Sequence, residues 1–197
     1  EIIVLNDGSK DNTKKIVENF KKKIKKIKII NFKKNMGISR SLRYGIKISK
    51  YEKLTWFAGD NSFLHKNLKK FFLLSVKSDM VNGVRHNKHI FKNSRKILTI
   101  LNNFFINILF KQRIKDVHGL FIFNTKDLKK LKFYSTRYSI MVEILPSILN
   151  LRSFTINFVK VYLNNKTLDS SQTLSFQTIF DFAKTWIKSF YYYKILN

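Results

Sequence analysis

Short apolar runs alternate with segments of helical period along most of this chain, and that alternation constrains its fold most. Strands are predicted over Ile2–Leu5, Lys28–Phe32, Leu54–Ala58, Met80–Val84, Leu120–Phe123 and Phe154–Tyr162. Helices are predicted between them: Asp11–Lys26, Ile38–Ser49, Asn67–Ser75, Lys92–Phe110, Lys126–Leu131 and Tyr138–Leu149. In the first helix Ile16, Val17 and Phe20 share one face. Strands alternating with helices imply an α/β domain with a mainly parallel central sheet flanked by helices. In such sheets ligands bind beyond the carboxyl ends of the strands, so the strand exits carry the functional argument.

Composition narrows the class. The 197 residues are 44% hydrophobic, enough for one sizeable core. With 39 Lys and Arg against 12 Asp and Glu, the formal net charge is +27. Such a charge points to phosphorylated ligands, anionic membranes or nucleic acid. The lysines are spread over the whole chain and form no nucleic-acid-binding motif, so nucleic acid is not an expected partner. A general Lys, Asn, Ile and Phe bias also contributes to the charge. There is no cysteine, hence no disulfide framework and no thiolate metal site. The longest apolar stretch, Ile97–Phe110, is interrupted by Asn102 and Asn103 and falls short of the roughly 18 residues of a membrane span. The apolar strand begins directly after Glu1, as in a chain that has lost an N-terminal piece.

Three strand exits stand out. In "VLNDGSKDNT" (4–13) a strand runs into Asp7, Gly8 and Ser9, with Asp11 or Asn12 placed to cap the next helix. In "NMGISRSLRYGI" (35–46) Asn35 and Gly37 occupy the loop, and Gly45 lies on the helix. A mid-helix glycine costs roughly 1 kcal/mol against alanine, which implies close packing or close ligand approach there. In "WFAGDN" (56–61) the strand stops at Gly59 and Asp60. Each pattern alone also fits an ordinary turn. All six glycines, however, fall in or beside these loops and the segments around Gly83 and Gly119.

In order and spacing, these motifs resemble the nucleotide-sugar domain of the family 2 glycosyltransferases, which have the GT-A fold. "MVNGVRHNK", "SRKILTILNNFFINILF", "KDVHGLFIFNTKDLKKL" and "YSIMVEILPSIL" are similar to segments of the dolichol-phosphate mannose synthase-like, polyprenyl-phosphate branch. The resemblance covers about residues 1–180. It lacks the family's first strand with its Pro-x-(Tyr/Phe)-Asn-Glu loop. On this basis residues 1–165 are expected to form the GT-A domain without that strand. Residues 166–197 would form a C-terminal segment with an amphipathic helix, either lying on a membrane or packed on the domain.

The resemblance implies roles. Asp7, Gly8, Ser9, Asn35, Gly37, Gly59 and Asp60 would bind the nucleotide-sugar, with Asp7 at the base and ribose. Asp60 matches the last Asp of the family's metal-binding Asp-x-Asp signature and would hold Mg²⁺ or Mn²⁺ against the diphosphate. Ala58 stands where the first Asp usually is, a departure from the pattern. Arg85 and Arg95, and Lys166 in place of a family arginine, would meet the acceptor phosphate. Asp116 would orient that phosphate or act as base, and Asp60 and Asp116 are the expected catalytic pair. The implied reaction is inverting transfer of a sugar from a UDP- or GDP-sugar to a polyprenyl phosphate. The enzyme would be cytoplasmic, peripheral on the inner face of the cell membrane. Two alternatives stay open: a surface-polysaccharide acceptor, or a non-catalytic sugar-nucleotide-binding protein.

Overall fold

A computed structural model describes residues 1–87, 93–111, 113–135, 140–164, 184, 185, 187–189 and 191; the side chains of 93–95 and 98 are not described. Among the described residues through Asn164, six strands and six α-helices follow one another as the alternation predicts. The strands are β1 (Ile2–Asn6), β2 (Ile27–Asn31), β3 (Lys53–Leu54), β4 (Met80–Arg85), β5 (Leu120–Asn124) and β6 (Ile156–Val161). The helices are α1 (Thr13–Lys23), α2 (Ile38–Ile48), α3 (Leu68–Leu74), α4 (Asn93–Phe110), α5 (Thr125–Lys130) and α6 (Ile140–Leu149). A 3₁₀ turn, Ser75–Lys77, follows α3.

The strands form two ladders. β1 and β2 pair in parallel, and a four-stranded sheet has the order β3-β5-β4-β6. β4 and β6 are parallel over six residue pairs, whereas β5 runs antiparallel to both β4 and β3. Parallel pairing is therefore the longer component of a mixed sheet. All five residues of β5, Leu120 to Asn124, are buried. A strand covered on both faces reads as a continuous apolar run, and "LFIF" is such a run.

The two faces of β5 feed two cores, as period-two alternation requires. Phe121 and Phe123 join Leu42 and Ile46 of α2, Ile106 of α4, Leu128 of α5 and Ile144 and Ile148 of α6. Leu120 and Ile122 join Phe71 of α3, Val81 of β4 and Val159 and Val161 of β6. Helix α2 thereby links the β1–β2 layer to the larger core. Gly45 explains how: a Cβ there would lie 2.9 Å from Leu5 Cδ1 of β1. Its reason is close packing.

One expectation fails locally. The strand expected over Leu54–Ala58 pairs only at Lys53 and Leu54. Beyond that point side-chain packing replaces ladder bonding, with the Trp56 ring stacked on Phe123 at 5.7 Å. On α1, Ile16 and Phe20 are 53% and 54% exposed, and the helix buries no residue.

Candidate nucleotide-sugar site at the strand exits

The exits of β1 and β2 form one unit. Both Asp7 carboxylate oxygens accept backbone N–H groups of the second loop, from Met36 at 2.7 Å and Gly37 at 2.8 Å. Gly8 adopts φ +75°, and a Cβ there would lie 2.5 Å from the Lys34 carbonyl carbon. Glycine is therefore required both by backbone conformation and by the neighbouring chain. Asn6 anchors the junction from below, donating to Asn31 Oδ1 at 2.9 Å and accepting from the Ser9 N–H at 3.1 Å. Asn35 Oδ1 accepts the Gly37 N–H at 2.9 Å, and Gly37 has φ +81° with open space around it. Asp7, Gly8, Ser9, Asn35 and Gly37 are thus brought together. Asp11, not Asn12, takes the Thr13 N–H at 3.0 Å. The Thr13 side chain, followed by that N–H, lowers the Asp11 carboxyl below its ordinary range.

Asp60 sits on the exposed loop after β3. Its Oδ1 accepts the Ser62 N–H at 2.9 Å and the Ser62 hydroxyl, while Asn61 turns the chain at φ 55°. Gly59 has open space around its Cα and no positive φ, so backbone geometry does not demand glycine there. The loop is tied to the end of β6: Asn164 N–H donates to the Ser62 carbonyl at 2.9 Å, and Phe63 bridges Leu163. The same end of β6 receives the segment after β4. His86 N–H donates to the Val161 carbonyl at 2.9 Å, and Asn87 exchanges two hydrogen bonds with Leu163. Asp60 and the exit of β4 therefore share one end of the sheet.

At that exit Arg85 and Asp116 form a buried pair. Arg85 Nε and Nη2 donate to the two Asp116 oxygens at 2.8 and 2.7 Å, and the Arg85 N–H adds a third bond at 3.0 Å. Their side chains are 4% and 0% exposed. Arg85 and Asp116, which the resemblance expects at an acceptor phosphate, are here buried against each other. Burial leaves them fixing the loop, because a desolvated arginine is held where both ends of its fork are satisfied. Arg95 begins α4, but its side chain is outside the described residues, as are Lys166 and Trp186.

Several positioning residues were not singled out by sequence. Asn82, in mid-β4 and fully buried, grips Asp116 through both backbone groups, at 3.0 and 3.1 Å. Asn103 and Asn107 of α4 do the same for residues 114–117, and Asn102 meets His118 Nε2 at 2.8 Å. The asparagines interrupting an apolar run were the available signal. Buried Glu143 accepts the Tyr134 and Ser135 N–H groups at 2.9 and 3.1 Å. Tyr134 in turn donates to the Thr185 carbonyl at 2.8 Å and bonds Ser189, which fastens the described part of the C-terminal segment to the domain.

No group of three or more His, Cys, Asp or Glu among the described residues could hold a metal ion. Asp60 offers one carboxylate whose Oδ2 has no protein hydrogen bond among them. That fits a divalent ion brought in by a diphosphate and keeping its waters, rather than a protein-built cage.

An α/β domain with acids and glycines gathered at its strand exits is consistent with a nucleotide-binding fold, and comparison with known proteins places it in the GT-A class of glycosyltransferase folds. The computed structure superposes on glucosyl-3-phosphoglycerate synthase of Mycobacterium tuberculosis, solved with Mn²⁺, uridine-diphosphate-glucose and phosphoglyceric acid. The TM-score is 0.56 at 14% identity, over 93% of this chain and 67% of that one. The chain belongs to glycosyl transferase family 2, whose sequence model matches residues 1–132. It is 30% identical over 165 residues to an uncharacterized protein of Methanocaldococcus jannaschii, covering 73% of this chain and 70% of that protein. It is also 30% identical over 144 residues to a dolichyl-phosphate beta-glucosyltransferase of Trichomonas vaginalis, covering 68% of this chain and 43% of that enzyme.

Proposed function

We propose that this glycosyltransferase moves a sugar from a UDP- or GDP-sugar to a polyprenyl phosphate at the cytoplasmic face of the membrane. The observation that carries this reading is the shared end of β6, which ties the Asp60 loop and the Arg85–Asp116 exit to one place. A donor diphosphate at the first and an acceptor phosphate near the second would then meet. The dolichyl-phosphate relative supports the acceptor class.

In this reading the Asp7–Gly8–Ser9 loop and the Asn35–Gly37 loop bind the nucleotide. An acceptor phosphate oxygen forms the new bond to the anomeric carbon. The bond from that carbon to the diphosphate breaks, and the nucleoside diphosphate leaves with the electron pair. One displacement inverts the anomeric centre. A phosphate nucleophile is already anionic, so the step needs positioning and charge stabilisation rather than a strong base. That agrees with Asp116 being buried and committed to Arg85. Asp60 would hold Mg²⁺ or Mn²⁺, which would offset charge on the leaving diphosphate. Arg95 and Lys166 are the proposed direct contacts of the acceptor phosphate, and Arg85 and Asp116 are positioning residues.

The test is donor turnover by the full-length protein with Mg²⁺ or Mn²⁺, with and without polyprenyl phosphate. The expected products are the nucleoside diphosphate and a lipid-phosphate sugar of inverted configuration. Turnover only with a glycan acceptor overturns the acceptor assignment, and no turnover with any acceptor overturns the catalytic reading.

A further inference from the structure

Helix α4 has its polar and apolar faces the wrong way round for a helix on a water-soluble surface. Its polar row turns inward: Asn102, Asn103 and Asn107 bond to residues 114–118 of the following loop, beside buried Thr99 and Ile106. Its apolar row turns outward. Ile97, Ile100, Leu101, Phe104 and Ile108 are 59%, 66%, 47%, 57% and 58% exposed. Their spacing puts them on one side of the helix. From Ile97 to Ile108 this stripe runs for about 17 Å along the helix.

Charge selects the occupant. The helix contains no Asp or Glu, Arg95 and Lys96 stand at its start, and Lys111, Arg113 and Lys115 follow its end. A chain of net charge +27 repels its own copies and is drawn to an anionic surface. Among the described residues no helix is long and apolar enough to cross a membrane. An apolar stripe with basic ends is the pattern of a helix lying in the interfacial plane.

We propose that the outer face of α4 is the docking surface for an anionic lipid bilayer. This deepens the lipid-phosphate reading and rests on it for its purpose: the inner face of the same helix holds the loop carrying Asp116 and His118. Docking α4 on the bilayer sets the acceptor loop at the depth of lipid headgroups.

The experiment uses the full chain and phosphatidylglycerol–phosphatidylcholine vesicles free of polyprenyl phosphate, so binding is read separately from catalysis. The parent is expected to co-sediment with these vesicles and not with pure phosphatidylcholine. The Ile100→Gln, Phe104→Gln, Ile108→Gln triple variant is expected to bind roughly tenfold more weakly or less, with an unchanged circular-dichroism spectrum. Phe104→Trp is expected to be quenched by brominated lipid beyond the parent's own quenching. Undiminished binding of the triple variant would mean that charge alone drives adsorption and would overturn the proposal, as would absence of added quenching. A parent that ignores vesicles but forms a dimer, lost in the triple variant, would assign the stripe to a second copy. Intact vesicle binding without lipid-dependent turnover would instead count against the acceptor reading alone.

Discussion

Asp60 and Gly119 show what single residues contribute. Asp60 is exposed, with one oxygen held by Ser62 and the other directed to no protein donor among the described residues. Its replacement by Asn keeps the size but removes the charge. We expect Asp60→Asn to lower kcat/KM roughly 100-fold or more, with an unchanged melting temperature. Steady-state assays over a metal titration check this, and an unchanged kcat/KM refutes the role. Gly119 is the reverse case, a residue with no chemistry and no freedom. A Cβ there would run into the Gly83 carbonyl oxygen and also meet the Asp116 carbonyl oxygen at 3.1 Å. Backbone on both sides cannot move away cheaply, so Gly119→Ala should cost about 2–4 kcal/mol in urea unfolding. That Gly119 lies near a candidate acid was visible in sequence. Its need to be glycine was not, because the obstruction comes from a strand 36 residues earlier in the chain.

At the scale of elements, α4 organises the loop before β5 through amides rather than through apolar packing alone. Asn107 satisfies both backbone groups of buried Ile114, at 2.9 and 2.7 Å. Asn107→Ala leaves that N–H and C=O without their partner and should cost about 1–3 kcal/mol. Amide exchange at Ile114 and Val117 should speed up while exchange in β1 and β2 stays unchanged; uniform acceleration would argue against local gripping. The position of α4 was legible from its apolar period. Which face turned inward was not: apolar residues ordinarily face the core, whereas here Asn103 and Asn107 bond backbone groups of the facing loop and Asn102 bonds the His118 ring. A similar limit applies to α1. Its amphipathic pattern was readable, but the half exposure of Ile16 and Phe20 was not.

At the scale of the molecule, Asp79 closes the end of the sheet opposite the site. It precedes β4 and accepts from the Arg152 guanidinium at 2.8 Å, the Thr155 N–H at 3.0 Å and the Thr155 hydroxyl at 2.8 Å. Arg152 also reaches Asp127 of α5 at 3.0 Å. One cluster thus fastens β4, β6, α5 and the chain after α6. The Arg152 bond, followed by the Thr155 N–H, holds the Asp79 carboxyl well below the usual carboxylate range. A depressed folded-state pKa stabilises the protein above the unfolded value and loses that contribution as pH falls below about 4. Because the side chain keeps 28% of its surface exposed, solvent screening limits the contribution to about 1 kcal/mol. Urea midpoints between pH 7 and pH 3 should fall less steeply for Asp79→Asn than for the parent, and equal slopes would refute the assignment.

The sequence by itself determined the order of strands and helices, the α/β class and the strand-exit loops for which a nucleotide-sugar site is proposed. These follow from local periodicity and from the residue types that turns demand, which act over a few neighbours. Only the tertiary structure decided that Asp7 bonds the second loop, that Arg85 is committed to Asp116, that β5 enters antiparallel, and that α4 faces its apolar row outward. Each of these depends on which distant groups become neighbours, and on which buried donors and acceptors they leave to be satisfied.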